Sequence, residues 1–166
     1  MSKLELVTHL YEYNEWANDR LLGVASGLSA DELSTGRGAS FGSILDSFVH
    51  VVRAQVFWLQ RWKAGDAPGQ TLGDEAEISL AIVRAAFDES HAGMRQFVDG
   101  LTGEQLEGPL NYRDRRGEWS RPLWQLMTHV ANHGTYHRGE IAMMLTGVDH
   151  SPGDLDFSFW EYEHHP

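Results

Sequence analysis

The chain of 166 residues contains no cysteine, so it can form no disulfide and supplies no thiolate as a metal ligand or nucleophile. It also lacks any run of about 18 uninterrupted apolar residues, which argues against a transmembrane helix. Residues 1–16 carry charged and polar groups where a secretory signal needs an apolar segment. We therefore expect a cytoplasmic protein with no membrane partner.

Positive charge is also scarce in this sequence. The 13 Lys and Arg residues are outnumbered by 24 Asp and Glu residues, which gives a formal net charge of −11 at pH 7. Such a protein repels the phosphates of nucleic acids and of anionic lipids. The acidic residues are dispersed along the chain and form no acidic tail. The charge balance therefore argues against nucleic acid as a partner.

Apolar periodicity and helix-breaking residues divide the chain into four long helical segments. The hydrophobic fraction of 42% suffices for a single domain with a buried core, spanning residues 1–166. Residues 108–120 form either a short hairpin or a loop, and Ser40 is the expected N-cap of the second helix. The sequence thus predicts an all-α, four-helix bundle. Its helices are expected at roughly residues 4–28, 41–64, 74–98 and 121–147.

Three histidines, His129, His133 and His137, follow one another at four-residue intervals in the fourth predicted helix. On a wheel of about 100° per residue, His137 falls inside the apolar stripe, His133 at its edge and His129 further round. Two histidines at i and i+4 can direct their ring nitrogens to one point, but a third, one turn away, joins them poorly. The predicted ligand pair is therefore His133 with His137, unless both are hydrogen-bonded core histidines; His129 is an outer or packing residue. A protease site of the His-Glu-x-x-His type is excluded because Gly134 replaces the glutamate.

The remaining histidines are harder to assign from periodicity. His50 lies on the side of the second helix opposite its main apolar stripe, which predicts exposure to solvent. That side also carries Val49, Ala54 and Phe57, so the direction of His50 stays open. Other histidines have no partner at ligand spacing, and we expect surface or helix-capping positions for His9, His91, His150, His164 and His165.

Several motifs occur in an order typical of a known family: residues 13–18 (YNEWAN), 39–44 (ASFGSI), 48–50 (FVH), 132–139 (NHGTYHRG) and 150–157 (HSPGDLDF). In these motifs, and over nearly its whole length, the chain resembles the DinB family of bacterial helical-bundle metalloproteins. That family is similar in fold to transferases and isomerases that use the thiols mycothiol or bacillithiol. The resemblance implies a four-helix bundle that holds a divalent metal through His50, His133 and His137, and it overrides the outward direction of His50.

Glu140 departs from the family pattern, in which glutamine more often follows the His-Arg-Gly sequence. It could accept a hydrogen bond beside the metal, act as an extra carboxylate ligand, or remain a solvated surface charge, which is the first expectation. Arg138 points away from the metal side of the wheel and is predicted to be structural. Asn14 lies in the apolar face of the first helix and needs a buried hydrogen-bond partner.

Three functions agree with a site of this kind. The first is a divalent-metal-dependent S-transferase, with zinc or nickel as the metal, a low-molecular-weight thiol as cosubstrate and a small electrophile as substrate. The second is a metal-dependent hydrolase, for which Glu140 or Asp46 would be the general base. The third is a non-catalytic, stress-related metal-binding protein. Separately, the aromatic residues of the second helix spread over more than one face and predict a homodimer: Phe57, Trp58 and Trp62.

Overall fold

A computed structural model describes residues 1–65, 78–114 and 116–165 of the chain. The described residues are mostly helical and form, in chain order, α1 (Lys3–Ala25), α2 (Ala30–Ser34), α3 (Ile44–Ala64), α4 (Leu80–Asp99), α5 (Gly103–Glu107), β1 (Pro109–Asp114), β2 (Gly117–Pro122), α6 (Leu123–Thr146) and α7 (Phe157–His164). None of these helices is both long and apolar enough to cross a membrane.

The four long predicted helices correspond to α1, α3, α4 and α6. The predicted start of the third helix, residue 74, lies outside the described residues, and α4 begins after its N-cap Ser79. The assignment of Ser40 as N-cap of the second helix is wrong. Gly42, with a φ of 85°, turns the chain first, and the Ser43 hydroxyl then accepts a hydrogen bond from a backbone N–H of α3.

Residues 108–120, for which the sequence allows a hairpin or a loop, belong to an antiparallel hairpin of β1 and β2. The Asp114 carboxylate accepts hydrogen bonds from the backbone N–H of Arg116 (2.8 Å) and from the indole N–H of Trp119 (3.0 Å), which stabilises the turn. This small sheet corrects the purely helical prediction. The fold is mostly helical with one two-stranded sheet.

The long helices pack so that α6 lies against both α1 and α3, while α4 contacts the same two helices. Two apolar clusters fill the space between them, one around Phe48, Phe87 and Ile141 and the other around Trp62, Met94 and Met127. Each such side chain contributes roughly 2–3 kcal/mol when fully buried. The core therefore determines how the side chains of α6 are directed toward α3.

A buried polar layer joins α6 to α1. The Arg138 guanidinium is almost fully buried and donates hydrogen bonds to the side-chain oxygens of Asn14, Asn18 (3.2 Å) and Thr135 (3.0 Å). It also lies over the ring of Tyr13, 5.2 Å from the ring centroid. The predictions that Arg138 is structural and that Asn14 has a buried partner are both confirmed.

Gly134 makes this polar layer possible. A Cβ atom at position 134 would lie 2.7 Å from Arg138 Nη1 and 2.7 Å from Asn14 Oδ1, closer than side chains pack. Any other residue therefore has to displace one of these two buried groups. The glycine that replaces a protease glutamate in the sequence is thus required by the packing of α6 against α1.

Candidate metal centre

Three histidines meet where α3 crosses α6. His50 extends from α3, and His133 and His137 extend from consecutive turns of α6. Their ring nitrogens include one from each residue within 4.8 Å of the others, and the Nε2 atoms of His50 and His133 are 3.0 Å apart. Such a cluster of imidazole nitrogens could hold a divalent metal ion.

The outward direction that periodicity predicts for His50 is wrong. Its ring centroid lies 4.5 Å from that of His137 and 4.9 Å from that of His133, so it faces α6. A helical wheel gives the direction of a side chain only relative to the main apolar stripe of its own helix. His50 lies half-buried at the seam between two helices, and only the packing of α6 defines that direction.

Two histidines of this cluster, His50 and His133, are held in the neutral form that binds metal. Burial, followed by the neighbouring His137, lowers the pKa of His50 below its ordinary value of 6.5. The same causes in the same order lower the pKa of His133 to about 4. Both rings are therefore neutral at pH 7, and a neutral ring nitrogen carries the lone pair that a metal requires.

Glu140 orients the third histidine. Its Oε2 atom lies 2.8 Å from His137 Nδ1, so with the proton on Nδ1 the Nε2 lone pair is available to the cluster. Its Oε1 atom accepts hydrogen bonds from the hydroxyl (2.5 Å) and the backbone N–H (3.2 Å) of Ser40. Burial raises the pKa of the Glu140 carboxyl, but the hydrogen bonds from Ser40 and His137 outweigh it and the pKa is lowered. Glu140 is an ionised hydrogen-bond acceptor, and the expectation of a solvated surface charge is wrong.

A turn before α3 completes the surroundings of the cluster. The Phe41 ring stacks on His50 with centroids 3.7 Å apart and meets His137 edge-on at 5.3 Å. Gly38 and Gly42, with φ of 77° and 85°, allow the tight turn that carries Phe41 there. Sequence reasoning missed Ser40 and Phe41 as site residues. The available signal was the family motif at residues 39–44, which contains Ser40, Phe41 and Gly42 and directly follows Gly38.

His129 stays outside the cluster. Its ring centroid is 6.1 Å from that of His133, and it packs edge-on against Trp58 at 5.5 Å. His129 thus lies outside the group of three histidines and contacts Trp58, and its exclusion from metal binding stays a prediction. Trp58 in turn contacts Tyr112 of the hairpin, and the Arg61 guanidinium lies over both rings.

Three other residues, His91, Asp46 and His150, lie outside the group of three histidines. His91 is buried, against the expectation of a surface position, and its Nε2 atom lies 3.1 Å from Asn18 Nδ2. Burial, followed by the charge of Arg95, lowers the pKa of His91 to about 4. Asp46, proposed above as a general base, accepts a hydrogen bond from the Ser43 hydroxyl at 2.6 Å and so belongs to the cap of α3. His150 lies 2.8 Å from the Val148 carbonyl oxygen just after α6, which agrees with a capping role.

Comparison with known proteins places these features in a family. Protein DinB of Bacillus subtilis (strain 168) is 27% identical to the chain over 165 residues, with 91% of each protein covered. The fold is similar to the crystal structure of a DinB-like protein, YjoA, from Bacillus subtilis, with a TM-score of 0.65, 18% identity, and coverage of 86% of this chain and 93% of that one. The sequence model of the DinB family matches residues 1–164. The protein therefore belongs to the DinB family.

Proposed function

We propose that this protein is a single-domain, four-helix-bundle enzyme that binds one divalent metal ion through His50, His133 and His137. The observation that carries the proposal is the convergence of three imidazole nitrogens at the seam between α3 and α6. The lowered pKa values of His50 and His133, which keep both rings neutral, support it, and so does the carboxylate of Glu140, which orients the His137 ring.

A set of three histidine ligands suits catalysis better than a purely structural role. Structural zinc sites are closed by four protein ligands, whereas catalytic sites retain an open position for substrate. Imidazole donors suit zinc and nickel, and we take zinc as the first choice and nickel as the second. A divalent ion held here would lower the pKa of an incoming thiol so that the thiolate forms near neutral pH.

The substrates we propose are a low-molecular-weight thiol and a small electrophile. The chain has no cysteine, so the sulfur of an S-transfer reaction must come from a separate molecule. In such a transfer the sulfur forms a bond to the electrophilic carbon, the leaving group departs with its electron pair, and the thiol proton passes to solvent. Phe41 forms one side of the site, with 40% of its surface exposed to an incoming molecule.

Hydrolysis is less well supported by the same geometry. A hydrolase needs a general base that can take a proton from water. Both oxygens of Glu140 already accept hydrogen bonds from Ser40 and His137, and Asp46 caps α3. These contacts favour thiol-dependent transfer over hydrolysis.

The test is turnover of a haloarene by untagged protein in the presence of a low-molecular-weight thiol. We expect turnover to rise with thiol concentration, to stop on chelation and to return when zinc or nickel is added. His133→Ala should be inactive, and His129→Ala, which alters the neighbouring histidine of the same helix, should keep most activity. Metal-dependent ester hydrolysis without thiol would support a hydrolase instead. A metal-loaded protein that is inert toward thiols, electrophiles and esters would identify a non-catalytic metal-binding protein.

A further inference from the structure

A second group of side chains that could hold a metal ion is formed by residues from near the two ends of the sequence. His9 and Glu12 extend from α1, and His165 is the C-cap residue of α7. One donor atom from each of these three residues lies within 4.8 Å of the other two. His165 Nε2 is 3.4 Å from a carboxylate oxygen of Glu12. These residues are distinct from the histidine cluster between α3 and α6.

Helix geometry explains why these side chains meet. His9 and Glu12 are three residues apart on α1 and therefore share a face of that helix. The helix α7 is too short to be stable alone, and it is held on α1 by Trp160, which is buried against Tyr13 and Phe157. Docking of Trp160 brings the end of α7 to the His9 face of α1.

Glu161 makes the same carboxylate contact with His9 as Glu140 makes with His137. The Oε1 atom of Glu161 lies 2.8 Å from His9 Nδ1, and the Oε2 atom of Glu140 lies 2.8 Å from His137 Nδ1. A carboxylate behind a histidine places the proton on Nδ1, frees Nε2 as a ligand and increases its basicity. This contact is the arrangement that metal-binding histidines use in proteins.

We propose that His9, Glu12 and His165 form a second divalent-metal site, with Glu161 orienting His9. Two imidazoles and one carboxylate are a donor set for zinc or another first-row transition ion. His165 Nε2 lies 3.4 Å from a carboxylate oxygen of Glu12, so these two donors are near enough to share one ion after a local side-chain movement. The ion would attach α7 to α1.

Ligation requires one local movement. The rings of His9 and His165 are stacked, with centroids 4.0 Å apart and an interplanar angle of 14°. The lone pairs of imidazole lie in the ring plane, so two parallel rings cannot direct them to one point. Rotation of the His165 side chain, which is 34% exposed at the end of α7, separates the rings and turns its nitrogen toward Glu12 and His9.

Zinc stoichiometry of untagged protein, measured after dialysis against buffered zinc, tests this site. We expect two ions per chain in the wild type, one in His165→Ala and one in His137→Ala, and none when both changes are combined. Glu12→Gln changes an exposed carboxylate with little risk to folding, and should weaken binding of the second ion by about 10-fold or more. His164→Ala removes the adjacent histidine, which contacts the Trp160 carbonyl oxygen, and should still bind two ions.

Thermal unfolding provides the second measurement. In the His137→Ala background, zinc should raise the melting temperature, and this rise should disappear in the double variant with His165→Ala. Circular dichroism in the presence of chelator should be the same for all variants, which separates ligand loss from misfolding. The proposal would be overturned if His165→Ala and Glu12→Gln bind as many zinc ions, and bind them as tightly, as the wild-type chain. His9, Glu12, Glu161 and His165 would then be a cluster of stacked histidines paired with carboxylates that binds no metal.

Discussion

Replacement of Gly134 by alanine is the perturbation whose effect the structure defines most sharply. The added Cβ would lie 2.7 Å from Arg138 Nη1 and from Asn14 Oδ1. Both are ends of side chains, but both are buried between α1 and α6, so neither can move without losing its hydrogen bonds. The polar layer that joins the two helices is therefore expected to break.

The size of the effect follows from the groups involved. A hydrogen bond to a charged group contributes about 1.5–3 kcal/mol, and a buried charge that loses a partner costs roughly 3–5 kcal/mol. Alanine is favoured over glycine inside a helix by about 1 kcal/mol, which offsets part of this loss. We expect Gly134→Ala to lower the free energy of unfolding by about 2–4 kcal/mol. At roughly 2–4 °C per kcal/mol for a chain of this size, the melting temperature should fall by about 4–16 °C.

Gly139→Ala is the matched control for this prediction. Gly139 lies on the same helix, and a Cβ there would have no neighbouring atom within 4 Å. It should therefore leave stability unchanged or raise it by up to about 1 kcal/mol. Urea unfolding of the metal-free proteins, followed by circular dichroism, measures both variants. If Gly134→Ala is as stable as Gly139→Ala, the reasoning about the Arg138 layer is refuted.

Four further predictions follow from the geometry. Zinc binding at the cluster of His50, His133 and His137, measured by isothermal titration in the His165→Ala background, should be abolished by His133→Ala and largely retained by His129→Ala; equal losses would contradict the difference predicted between His133 and His129. Glu140→Gln should weaken zinc binding by about 10-fold, since a neutral amide orients the His137 ring less well, and unchanged affinity would show that the carboxylate has no such role. His91 has a pKa of about 4 when folded and about 6.5 when unfolded, so the unfolded chain binds more protons and stability is lost as pH falls from 6.5 to 4, by up to about 3 kcal/mol. His91→Gln should reduce that pH dependence in urea unfolding of the metal-free protein, and an identical slope would refute this assignment. Light scattering at tens of micromolar should give twice the chain mass of 18.7 kDa for a homodimer, and a monomer mass would remove that prediction.

The homodimer prediction started from the aromatic residues of α3, and the structure accounts for part of that observation within one chain. Trp62 is buried and packs against Tyr11 and Phe97, while Trp58 contacts His129 and the hairpin. Tyr136 of α6, which contacts the His137 ring, is 63% exposed. Light scattering shows whether a dimer forms and does not identify the helix that forms the contact.

Local periodicity was enough to predict the four long helices and the pair of histidines that share one face of α6. Both depend on spacing within one segment: apolar residues repeat with the turn of the helix, and His133 and His137 are one turn apart. The position of Arg138 on the wheel likewise predicted its structural role. The hairpin remained an alternative, because each strand has only six residues and only β1 alternates regularly between exposed and partly buried positions.

The sequence by itself thus determined which segments become helices, which two histidines share a face, and that any sulfur chemistry needs an external thiol. Tertiary structure decided where those faces meet. His50 faces α6 only because α3 and α6 pack side by side, and Glu140 binds Ser40 only because the Gly38–Gly42 turn brings two segments together that are 100 residues apart. His9 and Glu161, 152 residues apart, come into contact only after Trp160 docks on α1. Helical periodicity acts over a few residues, whereas these contacts depend on how the whole core packs, and no single-helix pattern contains that information.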